Sequence, residues 1–373
     1  LAEEFVLLDN YYCEGVLSAD GHSWATEGNV TPYLEKAFGG FSRSYTFGDD
    51  PITYSSTGFI WDHVLAGGLS FRNFGEMDDA QPLNNWKVDS VWRSYQLAKD
   101  VRFKQNIGIE RLRRYSSPDY PGWNMGIPDV LRADRFLAEF REMERSGSMP
   151  NLTIVYLPQD HGAGTTPGYP TMSSYMADND LALGRIVEAI SKSRFWPRTA
   201  VFVNEDDPQA GFDHVDGHRS LCLVVSPYTR GWRVVSKFYN QNSVLHTILR
   251  IFGLPPMNKQ NAMAPLMTDC FASVADLRPY DVREPEVDMD AVNPPLSALK
   301  GAARRWAEVS TRIPMWRPGL KSAKDDAALN RVIWHAMKGY DVPYPTEWAG
   351  FHGRGLRERG LSLDALDSAA RYD

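Results

Sequence analysis

The sequence predicts an α/β protein: a mostly parallel sheet flanked by helices, followed by a helical C-terminal appendage. Three observations carry that prediction. Thr153–Leu157, Thr199–Val203 and Leu221–Val225 are short runs rich in β-branched and apolar residues, and read as buried strands. Met176, Leu183, Val187 and Ile190 recur at helical spacings between the first two runs, and strand–helix–strand order implies parallel strands covered by helices. After about Asp276 the composition changes, with Pro, Asp and Glu dominating up to Pro295. The expected organisation is therefore a core over residues 1–275 and, over 276–373, a linker with a helical extension packed on that core.

Taken in order, Phe5–Leu8 is an apolar run that reads as a strand, with a turn at Asp9-Asn10. Ser18 to Asn29 is polar and carries Gly21 and Gly28, so it reads as a loop leading into a helix. Ser42–Thr57 shows no helical period, and Trp86–Arg114 is mixed and charged, helical in parts. Pro118, Pro121 and Pro128 make Tyr115–Pro128 a loop, and a Gly/Pro/Thr loop spans Pro158–Pro170. Val244–Phe252 reads as a short helix ended by Gly253. In the appendage, Leu299, Ala302, Trp306 and Val309 form one helical stripe. Leu329, Val332, Ile333, Ala336 and Met337 form a second, with Gly339 as its cap.

Composition removes several function classes. The 373 residues are 43% hydrophobic and 23% charged, an ordinary globular balance. No window reaches ~18 uninterrupted apolar residues, so no membrane span is expected. A net charge of -7 without a basic stripe argues against a nucleic-acid binder, and the mixed Arg354–Arg359 segment does not alter that. Cys13, Cys222 and Cys270 form no CxxC pair, which excludes a cysteine zinc knuckle and leaves room for one disulfide. The sequence opens at Leu1 with no basic segment leading into an apolar one, so no signal peptide is expected in it.

Polar clusters gather where chemistry collects in such sheets, at strand ends. Asp160-His161 follows the first strand, and Glu205-Asp206-Asp207 follows the second. Asp213-His214-Val215-Asp216-Gly217-His218 precedes the third. Adjacent carboxylates repel, and burying them together costs several kcal/mol unless a cation is present. The Asp/His mixture suits zinc, with manganese, iron or calcium as alternatives. The metal-ligand candidates are Asp160, His161, Asp206, Asp207, His214 and His218. Taken singly, each reads equally as a loop cap or a structural histidine. Ser18 to Trp24 is a fourth cluster, in which a serine before a helix is either an N-cap or a nucleophile stabilised by the helix N-terminus. His63, His246 and His335 read as structural, and His352 lies in a glycine-rich tail. Asn29-Val30-Thr31 and Asn151-Leu152-Thr153 match the short glycosylation pattern, which is common by chance.

Val203–Gln209 and Asp213–Ser220 together resemble the phosphoesterase family of the alkaline phosphatase superfamily, which includes bacterial phospholipases C and acid phosphatases. Ser18–Trp24, Leu157–His161, Asp178–Arg185 and Trp334–Gly339 are similar to it too, so the likeness runs from Leu1 to about Pro345. It is greatest to phosphoesterase domains that follow a YncE-like β-propeller. The resemblance implies an alkaline phosphatase-like core and a metal-assisted attack on a phosphoester by a serine or threonine. It also suggests a periplasmic or secreted setting. It matches Asp206 and Asp207 to paired metal ligands, Asp160 and His161 to the cluster on the preceding strand, and His218 to a late ligand; His214 falls in the family's Asp-His-Val element. Gly21-His22-Ser23-Trp24 matches the segment that carries the nucleophile, which favours Ser23, with Ser18 and Thr26 as alternatives and His22 beside them. The family's Glu-Asn-Arg metal motif would lie upstream of Leu1 and is absent from this sequence.

The expected function is metal-dependent hydrolysis of a small phosphoester through a serine nucleophile. The rival is a catalytically impaired or silent metal-binding or interaction domain, with Asp9 or Asp20 as substitute ligands and a homo-oligomer formed through an open strand edge. A metal-free Ser/His/Asp esterase is disfavoured because no Gly-x-Ser-x-Gly elbow occurs.

Overall fold

The computed structural model describes residues 1–15, 18–37, 50–83, 102–208, 218–231, 233–313 and 323–345. The strands are β1 (Val6–Tyr12), β2 (Phe71–Phe74), β3 (Gln81–Pro82), β4 (Phe103–Lys104), β5 (Leu152–Val155), β6 (Val201–Asn204), β7 (Arg219–Val225), β8 (Arg233–Val235) and β9 (Tyr239–Asn240). The helices are α1 (Ser18–Glu27), α2 (Pro32–Ala37), α3 (Ile60–Ala66), α4 (Glu110–Arg113), α5 (Asp129–Ser146), α6 (Met172–Ser191), α7 (Gln241–Ile251), α8 (Lys259–Met263), α9 (Gly301–Ser310) and α10 (Ala323–Lys338). The protein is of the α/β class. It divides into two compact units, the first made of Leu1–Arg72, Glu142–Thr153 and Glu188–Tyr280. The second comprises Asn73–Arg141, Ile154–Val187 and the described residues from Asp281 on.

The first unit holds the principal sheet, in the order β6-β7-β1-β8, with β9 also paired to β1. It is mixed, which corrects the expectation of a mostly parallel sheet. β1 pairs antiparallel with β7, and β7 antiparallel with β6, whereas β8 and β9 run parallel to β1. The physical reason is the connection. A parallel neighbour needs a crossover, usually a helix, whereas an antiparallel one can return through a loop. β7 follows β6 in sequence and is also its hydrogen-bonded neighbour. Cys222–Val225 of β7 are all buried, as befits a strand covered on both faces. Of these, Cys222 and Val224 join Val6, Leu8, Tyr11, Val244 and Met267 in a hydrophobic core cluster. Cys13, Cys222 and Cys270 lie in that core as free thiols.

β1 does not stop at Asp9-Asn10. Its register against β7 shifts between Leu8 and Tyr11, and the strand runs on to Tyr12. A bulge absorbs the residues that read as a turn. Their side chains bond outward, Ser236 Oγ donating to Asp9 Oδ2 at 3.1 Å and Asn10 Nδ2 to the Ser236 carbonyl at 3.1 Å. Ser18 to Glu27 is helix rather than loop. Gly28, at φ 59°, supplies the left-handed residue that ends it. α7 begins as a capping box, with Asn240 Oδ1 accepting from the Ser243 amide at 2.9 Å, and ends before Gly253 at φ 70°.

In the second unit, α5 was not anticipated from the sequence, because its buried positions sit among many charges. Its first amides, of Asp129 and Val130, donate to the Asp178 carboxylate on α6. α9 and α10 pack through Trp306, Val309, Leu329 and Val332, as the two stripes require. His335 stacks on Trp306, in keeping with its structural reading. His63 and His246 are structural as well, each with a ring nitrogen 2.8 Å from a backbone carbonyl, of Thr57 and Ala264 respectively.

Candidate functional site

At one end of the principal sheet, three chain ends meet in the first unit: the end of β1, the start of α1 and the end of β6. Ser18 opens α1, and its hydroxyl donates to Asp207 Oδ2 at 2.8 Å. One turn along, His22 Nε2 lies 3.5 Å from Asp206 Oδ2. That carboxylate oxygen is shielded from solvent and accepts no hydrogen bond from the described residues. Asp207 is buried. Ser18, His22, Asp206 and Asp207 are thus brought together.

Two glycines make the approach feasible. A Cβ on Gly21 would lie 2.4 Å from the Asp206 carbonyl oxygen, and one on Gly15 would lie 2.5 Å from the Gly21 Cα. Both contacts are with backbone, which has no side chain to swing aside. Gly21 therefore marks a close passage of α1 over the end of β6, not a loop.

Ser23, the favoured nucleophile in the sequence, is placed differently. It is buried within α1, and its hydroxyl points to the Ala19 carbonyl at 3.5 Å. Thr26 likewise donates back along the helix, to the His22 carbonyl at 2.6 Å. His218 stands just before β7, and its carbonyl accepts from the Cys13 amide at 2.8 Å. Asp160 and His161 belong to the second unit, in a 3-10 turn after β5, where the His161 ring meets the edge of Trp123 at 4.8 Å. His214 lies outside the described residues.

A polar frame that sequence reasoning missed surrounds the cluster. Glu14, just past β1, accepts from the Asn242 amide at 2.9 Å, from Asn242 Nδ2 at 2.9 Å and from Asn240 Nδ2 at 3.1 Å. The Glu14 amide donates to Gln241 Oε1 at 2.7 Å. Gln241 Nε2 donates to the Asp206 carbonyl at 2.7 Å. The carbonyl of Glu205 accepts from Cys13 Sγ at 3.4 Å. Burial raises the Glu14 carboxyl above its ordinary value, against the pull of its Asn242 bonds. Burial also pushes the Cys13 thiol far up, and the acidic charges of Asp206, Asp207 and Glu205 add to the effect. That thiol is a packing group, not a nucleophile. At the far end of α1, Glu27 is fully buried, and burial pushes it up to about 8.

Two adjacent carboxylates and a hydroxyl are hard oxygen donors of the types that divalent cations take, and Asp206 Oδ2 faces only His22 Nε2, at 3.5 Å. On their own they would make only part of a coordination shell. Among the described residues, no group of three or more His, Cys, Asp or Glu is close enough to hold an ion.

Comparison with known proteins adds the family. The model of the phosphoesterase family matches residues 1–255. The chain belongs to the phosphoesterase family. No match was found among curated proteins. Among solved structures, the chain is similar to a protein of the alkaline phosphatase superfamily from Vibrio parahaemolyticus, at a TM-score of 0.43 and 16% identity over 72% of this chain and 64% of that one. It therefore spans less than two thirds of that protein's length. It is similar also to Ps i-CgsB, solved in complex with k-i-k-neocarrahexaose, at a TM-score of 0.44 and 12% identity over 72% of this chain and 68% of that one. Among the described residues no helix is long and apolar enough to cross a membrane.

Proposed function

We propose that this phosphoesterase-family chain hydrolyses small phosphoesters, with Ser18 as nucleophile and with Asp206 and Asp207 as ligands of a divalent cation, zinc or manganese first. The observation that carries the reading is the 2.8 Å hydrogen bond from Ser18 Oγ to Asp207 Oδ2 at the opening of a helix. Asp207 Oδ2 holds the Ser18 proton and takes it as Oγ attacks phosphorus. The Oγ–P bond forms as the bond to the leaving oxygen breaks, and water then hydrolyses the phosphoserine. The N-terminal end of the α1 dipole favours the negative charge that gathers on the phosphoryl oxygens. His22, facing Asp206 Oδ2, helps to orient that carboxylate. A bound cation would polarise the phosphoryl oxygens and offset the repulsion between the two aspartates. Ser23 is disfavoured because its hydroxyl is turned to the backbone of its own helix.

The test is an aryl phosphate assay on the purified chain with Zn²⁺, with Mn²⁺ and with chelator. Ser18→Ala is expected to lower turnover about 10³-fold or more, and Ser23→Ala far less. Chelator is expected to abolish turnover. Full activity in Ser18→Ala overturns the assignment of the nucleophile. Full activity in chelator overturns the metal. No turnover by the wild-type chain under any condition favours a silent binding domain.

A further inference from the structure

Gln241 is the first residue of α7 and is 1% exposed. Its carboxamide is used at both ends, Oε1 by the Glu14 amide at 2.7 Å and Nε2 by the Asp206 carbonyl at 2.7 Å, with the Glu205 carbonyl at 3.4 Å. The start of α7 does not need these bonds. Asn240 Oδ1 caps the Ser243 amide at 2.9 Å, and Glu14 Oε2 accepts from the Asn242 amide at 2.9 Å. β7 lies between β1 and β6 in the sheet, so no main-chain ladder joins the two strands directly. Beyond their ends, at Glu14 and Asp206, one side chain makes that connection, tying the segment after β1 to the peptide that carries the carboxylates.

We infer that Gln241 is a positioning residue for the Asp206–Asp207 pair: its bridge from the Glu14 amide to the Asp206 carbonyl holds the two carboxylates in the arrangement that receives the cation. This rests on the proposed role of Asp206 and Asp207 as ligands. Groups that orient metal ligands from behind govern affinity, and their loss costs about 10–100-fold. Gln241→Met removes both bonds. Gln241→Glu keeps an acceptor for the Glu14 amide but sets an anion against the Asp206 carbonyl, so it isolates the second bond.

The experiment is Mn²⁺ titration by calorimetry on the full chain, with thermal melts and crystal structures of the metal-free variants. Both variants are expected to bind Mn²⁺ at least about 10-fold more weakly than wild type, and Asp206→Asn combined with Gln241→Met is expected to lose little more than Asp206→Asn alone. Wild-type affinity in both variants, with melting lowered, means that Gln241 only stabilises the fold and overturns the inference. If the wild-type chain binds no Mn²⁺, the ligand reading itself fails, and the metal-free structures decide on the brace. An Asp206 carbonyl displaced by about 0.5 Å or more in Gln241→Met sustains the brace, and an unmoved one refutes it.

Discussion

Asp129 and Asp178 in the second unit are both fully buried, whereas of Asp206 and Asp207 in the first only Asp207 is buried and the Asp206 side chain stays 28% exposed; the two pairs are treated differently. Asp129 Oδ1 accepts from Arg132 Nη1 at 2.9 Å, and its Oδ2 from the Gln159 amide at 2.9 Å and Asn179 Nδ2 at 3.0 Å. Both oxygens of Asp178 accept amides at the start of α5. Arg132 is itself fully buried and donates to the carbonyls of Pro121, Ile127, Gly122 and Asn124. Burial raises both acids, and in Asp178 the neighbouring Asp129 charge raises it further. Every oxygen of that pair is met from within the unit, so it can only hold structure. Asp206 keeps an oxygen that nothing among the described residues donates to. An acid with bonding capacity left over is free to take a ligand.

The largest expected effect separates the two pairs by stability. Asp129→Ala strands the buried Arg132 charge and is expected to cost about 3–5 kcal/mol in urea unfolding. Asp206→Ala removes a partly exposed carboxylate whose contact with His22 is long, at 3.5 Å, and is expected to stay within about 1 kcal/mol of wild type, while losing phosphoesterase turnover. Equal destabilisation by the two substitutions would erase the contrast.

A smaller effect follows from Glu27, a lone buried acid that belongs to neither pair. Its carboxyl accepts the Ser55 amide and the Ser23 side chain bears on it, both acting against the rise that burial causes. Burial raises the folded value to about 8 from an ordinary 4.5, so the folded chain binds the extra proton across that interval. Stability is therefore expected to be full below pH 4.5 as far as this group is concerned, and to fall as pH rises through about 8. Glu27→Gln should flatten the thermal midpoint between those limits. A wild-type midpoint that rises from pH 5 to pH 8, and is unchanged in Glu27→Gln, contradicts this account.

The smallest effect concerns β6, the strand that carries Asp206 and Asp207 at its end. Among the described residues it pairs only with β7, and Val201, Phe202 and Val203 are half-buried. An open apolar edge invites pairing with a second copy. Sedimentation is expected to show weak, concentration-dependent association that Val201→Lys removes. A chain that remains monomeric at every concentration rules this out.

Much of this was legible in the sequence wherever one local pattern decided the outcome. β5, β6 and β7 announced themselves by composition, α6 by periodicity and the end of α7 by Gly253, and Asp206-Asp207 stand at the end of β6 because they follow its apolar run. The errors came where the deciding contact was remote. Gly21 read as a loop signal because its use, passage over the Asp206 carbonyl, lies far along the chain. That Ser18, and not Ser23, faces the end of β6 depends on how α1 passes over that strand, which the local sequence does not carry. Glu14 and Gln241 bond across 227 positions, and neither carries a mark in its own neighbourhood. The direction of β7 followed from how the chain returns after β6, which strand composition does not encode.

The stacking of Gly15, Gly21 and the Asp206 carbonyl has a kinetic consequence. Main chain rests on main chain there, so the backbone spacing between α1 and the end of β6 is set without any side chain between them. Such packing is expected to make α1 and the end of β6 move together, which narrows the fluctuation of the backbones that carry Ser18 and Asp207. If Ser18 is the nucleophile, fewer degrees of freedom need freezing on the way to the transition state, which lowers the reorganisation cost. Two hydrogen atoms in place of side chains thus set how nearly the resting site already resembles the reacting one.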